Sequence, residues 1–447
     1  MTRSLLFGVA WSLGLLFCFL TLPRLIPLQR TEHPPKTIKR GWLILVLVAC
    51  LVRLVPNLIL PVGAVYDIES YQIVADTVLQ GQDVYTADGR PSASVEARHP
   101  YLPFQMYWMA FARWSSNEFQ VPYVKVVRLL PIVADIGIVL LIYHWRSRDR
   151  RSRRLLQDQA FFSGMLYALN PVAVFVCAYH GQFDAIPLLC LVCAIIFLER
   201  SPGLSGMWLG IGILDKSWPV LALPSLLWGV RTSHPTPSWK KILVMALVSV
   251  AIPLLGTGLY TVLFRADFFQ VIGRALGYNR GIGAWGYSYF FRLLASFYPA
   301  AQPAMDAMLS FGRTLTLLAL GLIWFFGARK QSPSAGILTI LVAYLVFTHA
   351  FSIQYLLWVI PFAVLEGEYS WLKRFTLAAF CHMVLTYFTL IMARVITNVV
   401  PMPQADLYLI TSSSLLPWFV AIGWLVARAR AIQSCPFLKV GGVLYRQ

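Results

Sequence analysis

Apolar runs of about 20 residues recur along this chain, separated by short loops that are rich in Lys and Arg. An α-helix of about 20 residues spans the roughly 30 Å hydrocarbon core of a bilayer. The runs are unbroken, which favours helices over the alternating pattern of a membrane β-barrel. Of the 447 residues, 58% are hydrophobic and 13% are charged, about half the charged fraction of a typical soluble protein. We therefore predict an all-α polytopic membrane protein.

The basic residues indicate how the chain is oriented. The net charge is +18, and Lys and Arg cluster in loops 24–40, 146–154 and 231–241, a positive-inside pattern that places these loops in the cytoplasm. The charge thus indicates orientation and contact with anionic membrane lipids, not binding of nucleic acid. Alternating the other runs across the bilayer predicts one domain, residues 1–447, with about 11–13 transmembrane helices. Residues 61–120 and 264–308 form its two large extracytoplasmic loops.

The first extracytoplasmic loop contains the most informative acid of the sequence. Asp67 follows an apolar run closely and is expected near the membrane boundary, where an unsatisfied carboxylate is costly. Residues 67–80 predict an amphipathic helix that ends at Gly81, with Asp67 and Glu69 on different faces. Residues 99–114 predict a second helix at the membrane interface, with interfacial aromatic side chains. We hypothesise that Asp67 is a catalytic base at the mouth of a membrane-embedded active site.

The apolar stretch at 203–230 carries Asp215 and Lys216 near its middle. Both of its flanks are predicted to be cytoplasmic, so a single span would break the alternation of sides. Two short helices that meet at the sequence DKSWP satisfy the alternation, and Gly212 and Pro219 permit the break. The sequence therefore predicts two half-length helices whose junction faces the extracytoplasmic half.

Polar side chains at predicted helix ends converge on this extracytoplasmic half. Side chains that converge from separate loops onto a rigid scaffold are typical of an active site. Asp67 and Glu69 are the candidate catalytic residues. The candidate substrate-binding residues are Tyr71, His99, His180, Gln182, Asp184, Lys216, Arg280 and Gln354.

Structural roles would also account for several of these side chains. Asp67 and Asp184 could each cap the helix that follows. His180 could be a histidine satisfied at the membrane interface. Lys216 could reach a lipid headgroup or pair with its neighbour Asp215.

Three segments, in order along the chain, resemble the integral-membrane glycosyltransferases of the GT-C superfamily. The first has an acid and then a Tyr four residues on, followed by a G-x-x-x-Y pattern and the aromatic segment HPYLPF. The second begins HGQFDA and ends at Lys216 in the pattern Lys-x-x-Pro, and the third is FSIQYLLWVIPF. The resemblance is closest to the mannosyltransferase-like and Alg-type glucosyltransferase-like branches. The first loop has Asp-x-Glu in place of a paired acidic dipeptide, which leaves open whether Asp67 or Glu69 acts.

The resemblance implies a GT-C fold and a reaction with a membrane-dissolved donor. The donor would be a hexose, mannose or glucose, on a polyprenyl phosphate such as dolichyl phosphate, and the acceptor a lipid or glycan. Asp67 or Glu69 would take the proton of the acceptor hydroxyl in a single displacement with inversion. The phosphate leaving group needs positive charge, for which Lys216, Arg280 and His180 are candidates. No cofactor is required, and a divalent metal is allowed but not indicated by any ligand spacing.

Two further expectations concern location and an alternative function. Compact loops without sorting signals favour a bacterial inner membrane over the endoplasmic reticulum. The alternative is a polytopic secondary transporter or lipid flippase, which should have repeated halves, matching broken helices and charges at mid-membrane. That alternative would use Asp135, in VADIGIVLL, which we interpret as a polar contact between helices. The concentration of acids and amides in outer loops favours the enzyme.

Overall fold

Helices follow the apolar runs of the sequence along the chain. The structure is a computed structural model, and it describes residues 2–25, 41–60, 64–86, 99–147, 153–232, 238–277, 284–397, 404–434, 438–440 and 443–445. Two units are distinguished by their internal contacts, Met1–Tyr278 and Asn279–Gln447. In the described chain, the strands are two short antiparallel ones near the C-terminus, β1 (Leu438–Val440) and β2 (Val443–Tyr445), with Val440 opposite Val443.

The first unit is built from thirteen described α-helices with one π-helical and one 3₁₀ segment between them. They are α1 (Thr2–Leu25), α2 (Gly41–Ile59), α3 (Val65–Leu79), α4 (Gln105–Glu118), α5 (Tyr123–Val127), α6 (Leu129–Ser147), α7 (Arg153–Ala168), α8 (Pro171–Val174), the π-helix Phe175–His180, α9 (Ala185–Phe197), α10 (Pro202–Asp215), the 3₁₀ helix Trp218–Ala222, α11 (Leu223–Thr232), α12 (Trp239–Phe264) and α13 (Phe268–Gly277).

The second unit continues with seven described α-helices. They are α14 (Gly286–Phe297), α15 (Gln302–Phe326), α16 (Pro333–Phe347), α17 (Ile360–Glu366), α18 (Tyr369–Thr397), α19 (Gln404–Ser413) and α20 (Leu415–Ser434), with 3₁₀ helices at Pro299–Ala301, Ala328–Lys330 and Ile353–Leu357.

Several of these helices are long and apolar enough to cross a membrane. Within the described residues there are five such spans by length and composition, Gly41–Ile59, Tyr123–Ser147, Trp239–Phe264, Ser310–Lys330 and Tyr408–Gln433, or six if one bent pair is a single span. Four shorter apolar helices accompany them. The protein is thus an all-α polytopic membrane protein, as the sequence predicts, although many of the predicted crossings are shorter or bent helices.

The bent pair lies in the apolar run at residues 160–179. The chain turns by 46° between Gln159–Ala168 and Pro171–His180. Asn170 causes the break, since its side-chain oxygen accepts hydrogen bonds from the backbone N–H of Val172, at 3.0 Å, and of Ala173, at 3.4 Å. A proline follows Asn170 at the first helical position, where its missing N–H costs nothing. The second half then ends in the π-helix that presents His180.

The predicted break in the 203–230 stretch is confirmed. Helix α10 ends at Asp215, and Lys216 has an extended backbone with φ −142° and ψ 138°. A 3₁₀ turn from Trp218 to Ala222, with a proline in its first turn, leads into α11. The two helices are therefore separated at Lys216, which leaves its side chain at a helix end.

Helix α10 packs closely on α12 through glycine. A Cβ atom at Gly206 would lie 2.6 Å from the carbonyl oxygen of Met245, and one at Gly210 would lie 2.9 Å from Cβ of Ile252. Such close approach of backbones through small residues is typical of helix pairs in membranes. The contact fixes the position of the α10 C-terminus, and with it Lys216.

We expect the substitution Gly206→Ala to destabilise the protein by about 1–3 kcal/mol, because the added methyl collides with backbone. The matched control is Gly258→Ala on α12, where no atom lies within 4 Å of the added Cβ. In the control, the higher helix propensity of Ala should raise the free energy of unfolding by up to about 1 kcal/mol. Unfolding in mixed SDS micelles measures both. Equal effects at the two positions would contradict the close packing.

A fully buried ion pair connects α2, α6 and α7. Arg53 Nε donates to Asp135 Oδ2 at 2.6 Å, and neither side chain has any exposed surface. The hydroxyl of Tyr167 donates to the other oxygen of Asp135 at 2.5 Å. Arg53 also donates to the carbonyl oxygen of Ala168 at 2.9 Å. Asp135 therefore makes the polar contact between helices that the sequence predicts.

Candidate active site

Asp67 lies in the first turn of α3 and contacts the polar residues that follow the π-helix. The Nε2 atom of His180 is 2.6 Å from Asp67 Oδ2, and Gln182 Nε2 donates to the same oxygen at 2.7 Å. An ionised carboxylate only accepts hydrogen bonds, so His180 Nε2 carries the hydrogen. Gly181, between the two partners, has a φ of 85°, which a glycine adopts without strain. The left-handed turn brings both side chains to one carboxylate oxygen.

Lys216 extends this cluster from the end of α10. Its Nζ donates to Asp184 Oδ2 at 2.5 Å and to Gln182 Oε1 at 3.2 Å. The same ammonium lies 4.8 Å from the centre of the Tyr101 ring, a cation–π distance. The hydrogen bonds therefore run from Asp184 through Lys216 and Gln182 to Asp67.

Exposure differs sharply within the cluster. The Asp67 side chain is 29% exposed, whereas those of His180 and Lys216 are 6% and 5% exposed and that of Asp184 is fully buried. Both hydrogen bonds to Asp67 use Oδ2, and Oδ1 accepts none from the residues that the structure describes. Asp67 Oδ1 is therefore the carboxylate oxygen of the cluster that a substrate can reach.

These contacts decide between the alternatives that the sequence left open. The N-cap of α3 is Ala64, so the capping role for Asp67 is wrong. Asp184 does occupy the N-cap position of α9, but its side chain makes no capping hydrogen bond and binds Lys216. Of the structural alternatives for Lys216, the pair with Asp215 is not formed: the backbone is extended at Lys216, and its ammonium binds Asp184.

The environment of Asp67 favours its ionised form. Burial raises the pKa of the carboxyl, but the hydrogen bond and charge of His180, the hydrogen bond of Gln182 and the charge of Lys216 outweigh it. The net effect places the pKa of Asp67 below its usual 3.8. Tyr71 lies one turn further along α3. Its burial, together with the negative charge of Asp67, raises the pKa of Tyr71 well above 10.

Because Asp67 acts as a base only when it is ionised, we expect activity to be lost on the acid side only below about pH 4. A carboxyl with a lowered folded pKa contributes stability that is complete above its unfolded pKa and is lost as the pH falls through the folded pKa. The difference in melting temperature between wild type and Asp67→Asn should therefore be constant near neutral pH and shrink only below about pH 4. Melting curves in detergent from pH 7 to 3 measure it. A difference that already shrinks between about pH 5 and 6 would contradict the lowered pKa.

Tyr71 and His99 lie close by but are buried. Tyr71 packs edge-on against Phe183, with ring centres 5.0 Å apart, and its hydroxyl has no hydrogen-bond partner among the described residues. His99 lies between the rings of Tyr85 and Tyr101, at 5.7 and 5.8 Å. Burial lowers the pKa of His99 to about 4, so this ring is neutral at physiological pH. Tyr71 therefore lies beside Asp67, and His99 contacts Tyr101, whose ring lies over Lys216.

The contacts of this cluster do not test the roles of the remaining candidates. Glu69 is exposed on α3, on another face from Asp67, as the helical spacing predicts. Gln354 is buried in the 3₁₀ helix Ile353–Leu357 of the second unit. Arg280 lies outside the described residues. The roles of these three residues remain predictions.

Three groups of contacts that support the site were not predicted. Gln105 Nε2 donates to Asp215 Oδ2 at 3.1 Å, which links α4 to the end of α10. Arg128 donates to the carbonyl oxygen of Leu60 at 3.1 Å and to that of Tyr179, the residue before His180. Polar residues inside apolar runs, such as Gln105 and Arg128, were the available signal, but sequence alone does not give their partners.

The third group of contacts holds the first loop to α12. The hydroxyl of Tyr260 donates to Asp83 Oδ1 at 2.5 Å and accepts from the backbone N–H of Val84 at 2.8 Å. The hydroxyl of Tyr85 then donates to the carbonyl oxygen of Tyr101 at 2.6 Å. This anchors the chain that carries Tyr101 next to Lys216.

The residue types of the site suit acid–base chemistry more than metal binding. No group of three or more His, Cys, Asp or Glu side chains that could hold a metal ion occurs among the described residues. A partly exposed, ionised carboxylate with one unbonded oxygen can accept a proton from a bound hydroxyl. The arrangement around Asp67 has this form.

Comparison with known protein families gives a match over the centre of the chain. The sequence model of a family described as glycosyltransferase family 87, a GT-C-type family, matches residues 103–352. This range includes His180, Gln182, Asp184 and Lys216, and Asp67 precedes it. No curated protein matches the sequence significantly. The match covers more than half of the chain and agrees with the GT-C resemblance found in the sequence, whereas the mannosyltransferase-like and Alg-type branches stay predictions.

Proposed function

The chain belongs to glycosyltransferase family 87, and on that premise we propose that it transfers a hexose, mannose or glucose, from a polyprenyl-phosphate donor to a lipid or glycan acceptor. The observation that carries the proposal is the Asp67 carboxylate, whose side chain is 29% exposed and whose two hydrogen bonds to described residues both use Oδ2. A donor dissolved in the bilayer suits an acid beside the membrane. The family match does not support the transporter or flippase alternative.

The reaction we propose is a single displacement with inversion. The acceptor oxygen forms a bond to the anomeric carbon of the sugar, and its proton passes to Asp67 Oδ1. The bond between the anomeric carbon and the donor phosphate breaks, and the phosphate oxygen leaves with the electron pair. A phosphate leaving group needs no proton, so one base suffices, unlike the pair of carboxylates in glycosidases.

Asp67 is proposed as the base in preference to Glu69. His180 and Gln182 fix the orientation of the Asp67 carboxylate, and a base acts only when it is held within hydrogen-bond reach of the proton. Glu69 is exposed on a different face of the same helix. His180 and Arg280 are the proposed contacts of the donor phosphate, and Arg280 and Gln354 are proposed for the substrate loops on family resemblance.

We further propose that the reaction takes place on the extracytoplasmic side of a bacterial inner membrane. The basic loops support this side, because they place the first loop opposite the cytoplasm. No cofactor is proposed, since a phosphate-linked donor carries its own leaving group.

Purified wild-type protein in detergent tests this function. Synthetic polyprenyl phosphates carrying radiolabelled mannose or glucose are incubated with extracted membrane lipids, with and without EDTA. We expect label to move to a lipid product whose anomeric configuration, read by NMR, is opposite to that of the donor. Retention of configuration would contradict the single displacement, and loss of transfer in EDTA would show a metal requirement. No transfer from any donor, together with uptake in proteoliposomes, would overturn the enzyme in favour of the transporter.

A further inference from the structure

Lys216 is the buried cation of the candidate active site. Its ammonium is held between Asp184 Oδ2 at 2.5 Å and Gln182 Oε1 at 3.2 Å, and its side chain is 5% exposed. The Tyr101 ring covers it at 4.8 Å. A donor phosphate would have to displace this ring or Asp184 to contact the ammonium. The burial of Lys216 therefore favours an indirect role, through a neighbouring residue, over direct contact with the substrate.

The neighbour is the amide of Gln182. An ammonium group can only donate hydrogen bonds and an ionised carboxylate can only accept them, whereas an amide has one oxygen acceptor and one NH₂ donor. Gln182 lies between Lys216 and Asp67, so its oxygen must face Lys216 and its NH₂ group must face Asp67. The opposite orientation would place NH₂ against the ammonium and oxygen against the carboxylate. Lys216 thus determines which end of the amide meets the base.

We propose that Lys216 is a positioning residue, which orients the Asp67 carboxylate through Gln182 and supports its ionised form. This inference rests on the proposed role of Asp67 as the base. Asp184 has a complementary part, because its carboxylate balances the buried ammonium and holds it against Gln182. The sequence assigned Lys216 to substrate; the burial of its side chain and the direction of its hydrogen bonds favour the base instead.

The charged and titratable groups around the two residues are few. Asp67 faces His180, Gln182 and Lys216, with Tyr71 on its own helix. Lys216 faces Asp184 and Tyr101, with Asp215 as its chain neighbour. Removing the ammonium takes a favourable charge from Asp67 and leaves the acids in place. The pKa of Asp67 should consequently rise in a variant without Lys216.

The experiment compares Lys216→Met and Lys216→Arg with wild type, and Lys240→Met, an exposed lysine on α12, serves as the control. For Lys216→Met we expect kcat to fall about 10- to 100-fold, since a small misplacement of a reacting group has this effect, with the donor KM within about twofold. The acid limb of kcat should move to higher pH. Lys216→Arg keeps the charge and donors and should recover part of kcat, and Lys240→Met should match wild type.

A charge-balanced variant guards against loss of folding. Lys216→Met combined with Asp184→Asn removes both buried charges, so it should keep the wild-type melting temperature more nearly than Lys216→Met alone and still lose kcat. A raised donor KM with unchanged kcat would overturn the proposal and assign Lys216 to the phosphate. If Lys216→Met kept the wild-type kcat, donor KM and acid limb of kcat, the proposal would be overturned and Lys216 would be a packing residue.

A second readout separates this inference from the proposed function. The difference in melting temperature between the protein with Asp67 and its Asp67→Asn variant, followed from pH 7 to 3, reports the pKa of Asp67 without any substrate. In the Lys216→Met background the difference near pH 7 should be smaller than in wild type, and its loss should be complete at a higher pH, because the onset is set by the unfolded state and only the folded pKa moves. An inactive wild type would contradict the proposed function alone, and an unmoved transition would contradict the coupling of Lys216 to Asp67.

Discussion

The substitution Asp67→Asn is expected to lower the rate of sugar transfer by about 10²- to 10⁴-fold, the contribution of a general base. Asparagine has nearly the same size and shape, and its oxygen can still accept the hydrogen bonds of His180 and Gln182. Its amide nitrogen cannot take the proton of the acceptor hydroxyl. We therefore expect kcat to fall while the donor KM stays within about twofold. Steady-state kinetics with purified protein, varying the donor, measure both constants.

Two variants of the same helix serve as controls for Asp67→Asn. Glu69→Gln removes the other acid of the Asp-x-Glu pattern, which is exposed on another face of α3. Asp76→Asn removes an acid of α3 that pairs with Arg113 at 2.8 Å and is 43% exposed. Both are expected to keep kcat near the wild-type value.

The pattern of losses identifies the base. A large loss in Glu69→Gln with an active Asp67→Asn would transfer the base to Glu69. Full activity in both Glu69→Gln and Asp67→Asn would contradict a carboxylate base on α3 and point to Asp184. A raised donor KM in Asp67→Asn at unchanged kcat would instead make Asp67 a binding residue.

Local signals in the sequence predicted much of the helical framework. The apolar runs gave the long spans, Gly81 marked the end of α3 through its left-handed backbone, and the DKSWP junction was recognised as a break. These features depend on residues close together in the chain. Asn170 and its following proline carry a similar local signal, but the sequence analysis did not predict the bend that they produce.

The partners of polar residues were less predictable, because they lie far apart in sequence. The pair of Lys216 with its neighbour Asp215 was one alternative from the sequence, yet Lys216 binds Asp184, 32 positions earlier, since the backbone leaves the helix at Lys216. The convergence of Asp67, His180 and Gln182 followed from the predicted sides of the membrane. Their hydrogen bonds to a single oxygen depend on the left-handed turn at Gly181, which the predicted topology did not include.

The largest loss of stability is expected from Asp135→Ala, at about 3–5 kcal/mol. The substitution leaves the guanidinium of Arg53 buried with no exposed surface and no counter-charge, and it removes the acceptor of the Tyr167 hydroxyl. In the core of a membrane bundle, no water is available to solvate an unpaired charge in place of its lost partner. The free energy of unfolding in mixed SDS micelles, or the melting temperature in detergent, measures the loss.

Two comparisons show whether the loss arises from burial of the unpaired charge. Asp76→Ala breaks the partly exposed pair with Arg113 and should cost no more than about 1 kcal/mol. Arg53→Met combined with Asp135→Leu removes both charges and should regain most of the stability, because apolar side chains can replace a buried pair. Similar losses at Asp76 and Asp135 would contradict the argument.

The same variants test the transporter alternative, which would assign the buried acid to a translocation path. In our interpretation Asp135 has a structural role, because both of its oxygens accept hydrogen bonds from side chains of neighbouring helices. The stable double variant Arg53→Met with Asp135→Leu should therefore keep the donor KM and a measurable kcat. A double variant that is as stable as wild type but inactive, with transport measurable in wild-type proteoliposomes, would show that the charge pair itself has a function. Stability and activity that fall together in Asp135→Ala and recover together in the double variant would place Asp135 in the scaffold that holds α2, α6 and α7, and with them the elements that carry Asp67 and His180.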